Sequence, residues 1–315
     1  MFAADSDGVD IAYKADDGEK LWKTKTKLPI TGGLGASAQL VVFVTRNGLI
    51  EALDATSGEL KWKSSVPSES LAAPVVTDTS VVVQTTDGHL TCLDADSGKV
   101  RWSYETSLPI LTLRGASQPI VAGDLAIAGF ANGKVVALTL QHGSPVWERA
   151  VAEPTGRSEL ERVVDIDGNV SLDSGQLYAA TYQGKVASLS VNSGQISWQR
   201  DVSTTAGVYY GANVVVVPAA DGVLWAYDAA TGAELWHNDQ LRARTLSGAA
   251  IVDGYVVVGD FQGYLHWLSL SSGNFVARVK VDGDGLRSQP LVSGGIVYVQ
   301  GNGGKLAALT VKHAE

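Results

Sequence analysis

The sequence predicts an all-β fold, an eight-bladed β-propeller of four-stranded antiparallel blades, and three observations predict it. A phrase of apolar alternation, then glycine, then tryptophan four residues later recurs about every forty residues. Four short strand-like runs separated by turn residues fill each interval. The two ends of the chain carry three such runs each, too many to share one blade. A period near forty with four strands per unit is the signature of a propeller.

The phrase reads IAYKADDGEKLW at 11–22, IEALDATSGELKW at 50–62, HLTCLDADSGKVRW at 89–102, KVVALTLQHGSPVW at 134–147, KVASLSVNSGQISW at 185–198 and VLWAYDAATGAELW at 223–236. YLHWLSLSSGNFVA at 264–277 keeps the glycine and has Ala277 in place of tryptophan, and KLAALTVKHAE at 305–315 begins an eighth copy. The frame glycines are Gly18, Gly58, Gly98, Gly143, Gly194, Gly232 and Gly273, so the intervals are 40, 40, 45, 51, 38 and 41 residues.

Residues 68–107 illustrate one unit, with strands in LAAPVVT, SVVVQTT, HLTCLDA and KVRWSYE. Asn47-Gly48, Asp87-Gly88, Asn132-Gly133 and Asp221-Gly222 predict two-residue hairpin turns of type I′, which need positive φ at both positions. The frame glycine is expected at positive φ in the next turn, and the tryptophan on the outer strand at the seam between blades. Runs such as Val214 to Val217 lack polar alternation, as expected of sheets covered on both faces. The blades are expected at 1–27, 28–67, 68–107, 108–152, 153–203, 204–241, 242–282 and 283–315, within a single domain. The first should lack its opening strand and the last its outer strand. Both missing strands are expected upstream of Met1, in a chain trimmed at its N-terminus.

Composition narrows the function. Of the 315 residues 45% are hydrophobic and only 18% charged, and a net charge of −9 with no Lys/Arg cluster opposes nucleic-acid binding. Cys92 is the only cysteine, which excludes an intrachain disulfide and the usual Cys/His metal frameworks. The apolar runs are too short to span a bilayer as a helix, and MFAADSDG is not a signal peptide.

Catalytic signatures are missing. His89, His142, His237, His266 and His313 are dispersed and read as structural, and there is no GxSxG elbow, P-loop or GxGxxG. Asp165, Asp167 and Asn169 open like a calcium loop, but Val170 stands at the sixth position and Gln176 at the twelfth. A solvated loop or a partner contact is the better reading. No catalytic residue, cofactor or metal is expected.

The Gly-to-Trp frame resembles the repeats of quinoprotein dehydrogenases, propeller enzymes that bind pyrroloquinoline quinone and calcium. That resemblance implies a quinone- or ligand-binding propeller as the second reading. Those enzymes typically carry a pair of adjacent cysteines over the cofactor, which one cysteine cannot supply.

The repeat is interrupted in two consecutive intervals. The 45-residue one holds SLPILTLRGAS, and the 51-residue one holds TGRSELERVVDIDGN at 155–169. Long connections on a rigid scaffold are a usual place for function. An apolar connection either packs over the propeller or meets a protein partner.

LTLRGASQP, TGRSELERVVDID and GDFQGYLHWLSLSSGNFVARVKVDGDG, together with the repeats, resemble the BamB family over essentially the whole chain. These are lipoproteins of the outer-membrane β-barrel assembly machinery of Gram-negative bacteria. The resemblance implies an eight-bladed, non-enzymatic scaffold that binds the periplasmic POTRA domains of BamA and assists insertion of outer-membrane β-barrels. It implies Leu111, Leu113, Arg114, Asp165 and Asp167 as the BamA-binding positions. The leucines would be apolar anchors and Arg114 a multidentate donor, with the aspartates as partner acceptors or as a brace for Arg114. Nascent outer-membrane proteins are a further implied partner. A lipidated N-terminal cysteine would anchor the chain to the periplasmic face of the outer membrane; no such residue stands in this sequence.

Overall fold

The computed structural model describes residues 1–5 and 7–311; His313 lies outside them. Thirty strands and no helix occur among the described residues. They form eight sequential antiparallel meanders, six of four strands flanked by a three-stranded first and last sheet, which are the blades of an eight-bladed β-propeller. The first holds Phe2–Ala4, Val9–Tyr13 and Lys20–Lys25, and the last Leu291–Ser293, Ile296–Gln300 and Leu306–Leu309. By contacts the chain forms two compact units, Met1–Ala150 with Gly156–Asp165, and Val151–Thr155 with Ile166–Glu315. Blades 1 to 4 belong to the first unit and blades 5 to 8 to the second.

Burial within a blade follows strand order. In blade 2 every residue of the second strand, Leu40–Thr45, is buried, whereas in the outer strand, Leu60–Ser65, only Trp62 is. Middle strands covered on both faces need no polar alternation, which explains runs such as LVVFV. Outer strands need one large apolar residue to close the seam.

That residue docks on the frame glycine of the following blade. Trp22 Nε1 donates to the Ala55 carbonyl at 3.0 Å, Trp62 to Ala95 at 2.7 Å and Trp102 to Leu140 at 2.8 Å. In the second unit, Trp198 donates to Ala229 at 2.9 Å and Trp236 to Leu270 at 2.8 Å. The ring then lies flat against the glycine. A Cβ on Gly98 would fall 2.4 Å from Trp62, and all seven frame glycines have positive φ. At Gly58, Gly98, Gly143, Gly232 and Gly273 glycine is required twice over, for backbone conformation and for the space the indole fills.

The hairpin turns differ from the type I′ expectation. Gly48 donates its N–H to the Thr45 carbonyl at 3.0 Å, and at Asn47-Gly48, Asp87-Gly88, Asn132-Gly133 and Asp221-Gly222 only the glycine has positive φ, at 74° for Gly48 and 89° for Gly88. Three residues, Arg46 to Gly48, join the strands in blade 2. The extra residue confines the left-handed conformation to the glycine and spares the asparagine or aspartate its strain.

Candidate functional site

The apolar interruption, between the outer strand Val100–Glu105 and the next strand Ile120–Ala122, contains no regular structure. Prolines at 109 and 119 restrict it. Its near end is fixed: Asn132 Nδ2 donates to the Ser107 carbonyl at 3.1 Å, and Leu108 packs against the core shared by blades 3 and 4. Beyond Leu108 the chain turns its side chains outward. Ile110 is 98% exposed and Leu111 41%, while Leu113 is half-buried.

Two acidic side chains hold this exposed segment. Asp165, from the second interruption, is wholly buried, and its Oδ2 accepts a short hydrogen bond from the Leu113 N–H, 52 residues away in sequence. Its Oδ1 has no hydrogen-bond partner among the described residues. Burial pushes the Asp165 carboxyl up to about 6, against the pull of the Leu113 N–H. Glu69, from the connection between blades 2 and 3, sits 3.3 and 3.4 Å from Arg114 Nη2. The Arg114 side chain is 68% exposed.

The two interruptions are therefore tied together, but by different bonds from those weighed for the aspartates. Arg114 pairs with Glu69, and Asp165 braces the loop through the backbone of Leu113. Because Asp165 is fully covered, its part is to position the loop; the groups facing solvent are Ile110, Leu111 and the Arg114 guanidinium. Asp167 is half-buried and belongs to the other compact unit. The second interruption adds an apolar side chain of its own, Leu160, 64% exposed. Glu161 Oε2 organises that turn by accepting the N–H groups of Arg157 at 2.7 Å and Ser158 at 3.2 Å. Sequence reasoning missed Glu69, which sits in a connection of ordinary length with nothing to single it out. The exposure of Ile110 has a sequence signal, an isoleucine between proline and leucine in a connection.

The sequence lacks the pair of adjacent cysteines that the dehydrogenase resemblance implies. Cys92 is buried with Sγ 3.9 Å from the Leu140 carbonyl, and no group of three or more His, Cys, Asp or Glu residues suited to a metal occurs among the described residues. The first carboxylate of the calcium-like loop, Asp165, takes the Leu113 N–H through Oδ2.

Known proteins resemble this chain along its whole length. The family profile described as outer membrane protein assembly factor BamB matches residues 6–238 and 220–315. The outer membrane protein assembly factor BamB of Pseudomonas aeruginosa is 53% identical over 312 residues, covering 99% of this chain and 82% of the relative. The crystal structure of BamB from Moraxella catarrhalis superposes with a TM-score of 0.92 at 30% identity, covering 98% of this chain and 92% of that one. A quinohemoprotein alcohol dehydrogenase from Comamonas testosteroni shares the fold alone, with a TM-score of 0.76 at 13% identity over 95% of this chain and 68% of its own. The profile match and the full-length similarity show that the chain belongs to the BamB family of outer membrane protein assembly factors.

Proposed function

We propose that this protein is a non-enzymatic scaffold of the β-barrel assembly machinery, docking onto the periplasmic POTRA domains of BamA and assisting folding and insertion of outer-membrane β-barrels. It works at the periplasmic face of the outer membrane, lipid-anchored in its mature form. The observation that carries this reading is the loop at 108–119: Ile110 and Leu111 stand in solvent beside Arg114, on a segment pinned by Asp165 and Glu69. Exposed apolar side chains held rigid bind a partner without a large ordering cost, and a guanidinium at their edge adds directional hydrogen bonds. Ile110, Leu111, Leu113 and Arg114 contact BamA; Asp165 positions them, and Asp167 follows it two residues later.

Titration of purified BamA POTRA domains tests the assignment. Leu113→Ala and Arg114→Ala should each weaken binding by about 1 kcal/mol or more, roughly fivefold or greater, with unchanged thermal melting. Wild-type affinity in both variants refutes it.

A further inference from the structure

In the second unit a cleft of about 400 Å³ is lined by Gln240, Arg244, His266, Phe275 and Arg278 among others. Its place in the repeat explains how one blade could acquire it. On the third strand the residue before the tryptophan's partner pairs with the residue after the tryptophan on the outer strand. The pairs are Glu51 with Lys63, Thr91 with Ser103, Val136 with Glu148, Ala187 with Gln199, Trp225 with His237 and His266 with Arg278. The fold fixes these positions and leaves the residue types open; blade 7 fills them with an imidazole and a guanidinium.

Asp260 organises the cleft from behind. It is wholly buried and accepts from Arg244 Nη1 at 2.8 Å, His266 Nε2 at 2.9 Å and the N–H groups of Gln262 and Tyr264 at 3.0 Å each. Burial, opposed by the pull of Asp260, holds His266 below its ordinary pKa, and its Nε2 faces the Asp260 carboxylate. Asp260 thus fixes Arg244 at the cleft and offsets one positive charge.

Arg278 is left over. Among the described residues no carboxylate lies within ion-pair distance of it, and its guanidinium rests over the Tyr264 ring at 5.4 Å from the centroid. The walls beside it are apolar, with Phe275 37% and Val276 54% exposed. A concavity with one uncompensated guanidinium, in a chain of net charge −9, selects an anion, and the planar guanidinium fork matches a carboxylate. Its volume suits a group of one-residue size or somewhat larger.

We propose that this cleft binds a carboxylate carried on an apolar group, with Arg278 and Arg244 taking the carboxylate and Phe275 and Val276 the apolar part. The group is either a free apolar acid or the C-terminal residue of a polypeptide. The cleft lies in the unit that does not contain the 108–119 loop, and the proposal is independent of BamA docking.

Calorimetric titration of the whole protein at low ionic strength tests it with three probes: N-acetyl-leucine, N-acetyl-leucinamide, and a pentapeptide of four alanines ending in leucine with a free carboxylate. The acid should bind at least tenfold more tightly than the amide. Arg278→Gln should lose at least tenfold for the acid, with Arg278→Lys recovering part of the loss and both variants melting like wild type. A pentapeptide tighter than the acid identifies a polypeptide terminus as the ligand; equal affinities identify the free acid group as sufficient. Equal binding of acid and amide, undiminished binding to Arg278→Gln, or no binding of any probe at millimolar concentration overturns the proposal.

Discussion

Trp267 faces Ala277 directly across the ladder of blade 7, the reverse of the pairing in the blades before it. There a small residue on the third strand faces a tryptophan on the outer one: Ala12 and Trp22, Ala52 and Trp62, Cys92 and Trp102, Ala137 and Trp147, Ser188 and Trp198, Ala226 and Trp236. In those blades the outer-strand tryptophan reaches the following blade, as Trp62 does to the Ala95 carbonyl and Trp236 to that of Leu270. Trp267 instead packs from the third strand against Val297 and Val299 of blade 8.

Trp267 is as buried as the frame tryptophans, so removing it should be as damaging as removing one of them, and an indole moved to the outer strand would leave its place among Val297 and Val299. Trp267→Ala is expected to cost about 3–5 kcal/mol in urea unfolding, the range for a buried aromatic truncated to alanine. The double variant Trp267→Ala/Ala277→Trp should recover little of it. Full recovery of stability would mean that an indole on the outer strand fills the seam as well as one on the third strand.

The frame glycines offer a comparison between two otherwise similar positions. Gly18 and Gly98 have φ values of 74° and 67°, but a Cβ on Gly18 meets nothing within 4 Å whereas one on Gly98 lies against the Trp62 ring. Gly18→Ala should cost only the left-handed strain, about 1–2 kcal/mol. Gly98→Ala should cost distinctly more, because the indole must move and its bond to Ala95 with it. Equal losses in denaturant midpoint at constant slope would place the whole penalty in the backbone.

The blade repeat was legible because periodicity is a local property written many times over: seven glycines and six tryptophans state one rule. The incomplete end blades followed from counting strands. The turn type was not legible, since Asn-Gly serves a two-residue and a three-residue loop alike. Nor were the roles of Asp165 and Glu69, because a carboxylate pinning a backbone N–H 52 residues away leaves no mark in spacing. The anomaly at Ala277 was visible as a missing tryptophan, but its compensation by Trp267 required the register across two strands.

Asp10 breaks the same rule of position without compensation. It stands two residues before Ala12, where other blades have Ile50, Leu90, Val135, Leu224 and Leu265, and neither of its buried carboxylate oxygens has a hydrogen-bond partner among the described residues. Burial first, then the negative charges of Glu51 and Asp5, push its carboxyl up to about 7. The folded chain thus holds a proton that the unfolded chain releases near 3.8. The stability tied to that proton is complete below about 3.8 and lost as pH rises through about 7. Asp10→Leu should gain about 1–4 kcal/mol at pH 8, the range seen when apolar side chains replace buried charges, and much less at pH 4. A variant less stable than wild type at pH 8 would show that the aspartate is paired.

Asp165 makes the sharpest test of whether the loop must be held in place to act. Its carboxyl is raised from 3.8 to about 6 by burial, so the protonated form again stabilises the fold, and that contribution is lost between about pH 4 and 6 as pH rises. Asp165→Asn keeps an acceptor for the Leu113 N–H and removes the titration. Its stability should vary less across this window, and POTRA binding should stay near wild type. Asp165→Ala strands the N–H and should cost about 1–3 kcal/mol while weakening POTRA binding, although no atom of residue 165 reaches the surface. Wild-type POTRA affinity in Asp165→Ala would mean that the loop keeps its shape without the tether, leaving Glu69 and the loop's own packing to hold Ile110, Leu111 and Arg114 in position.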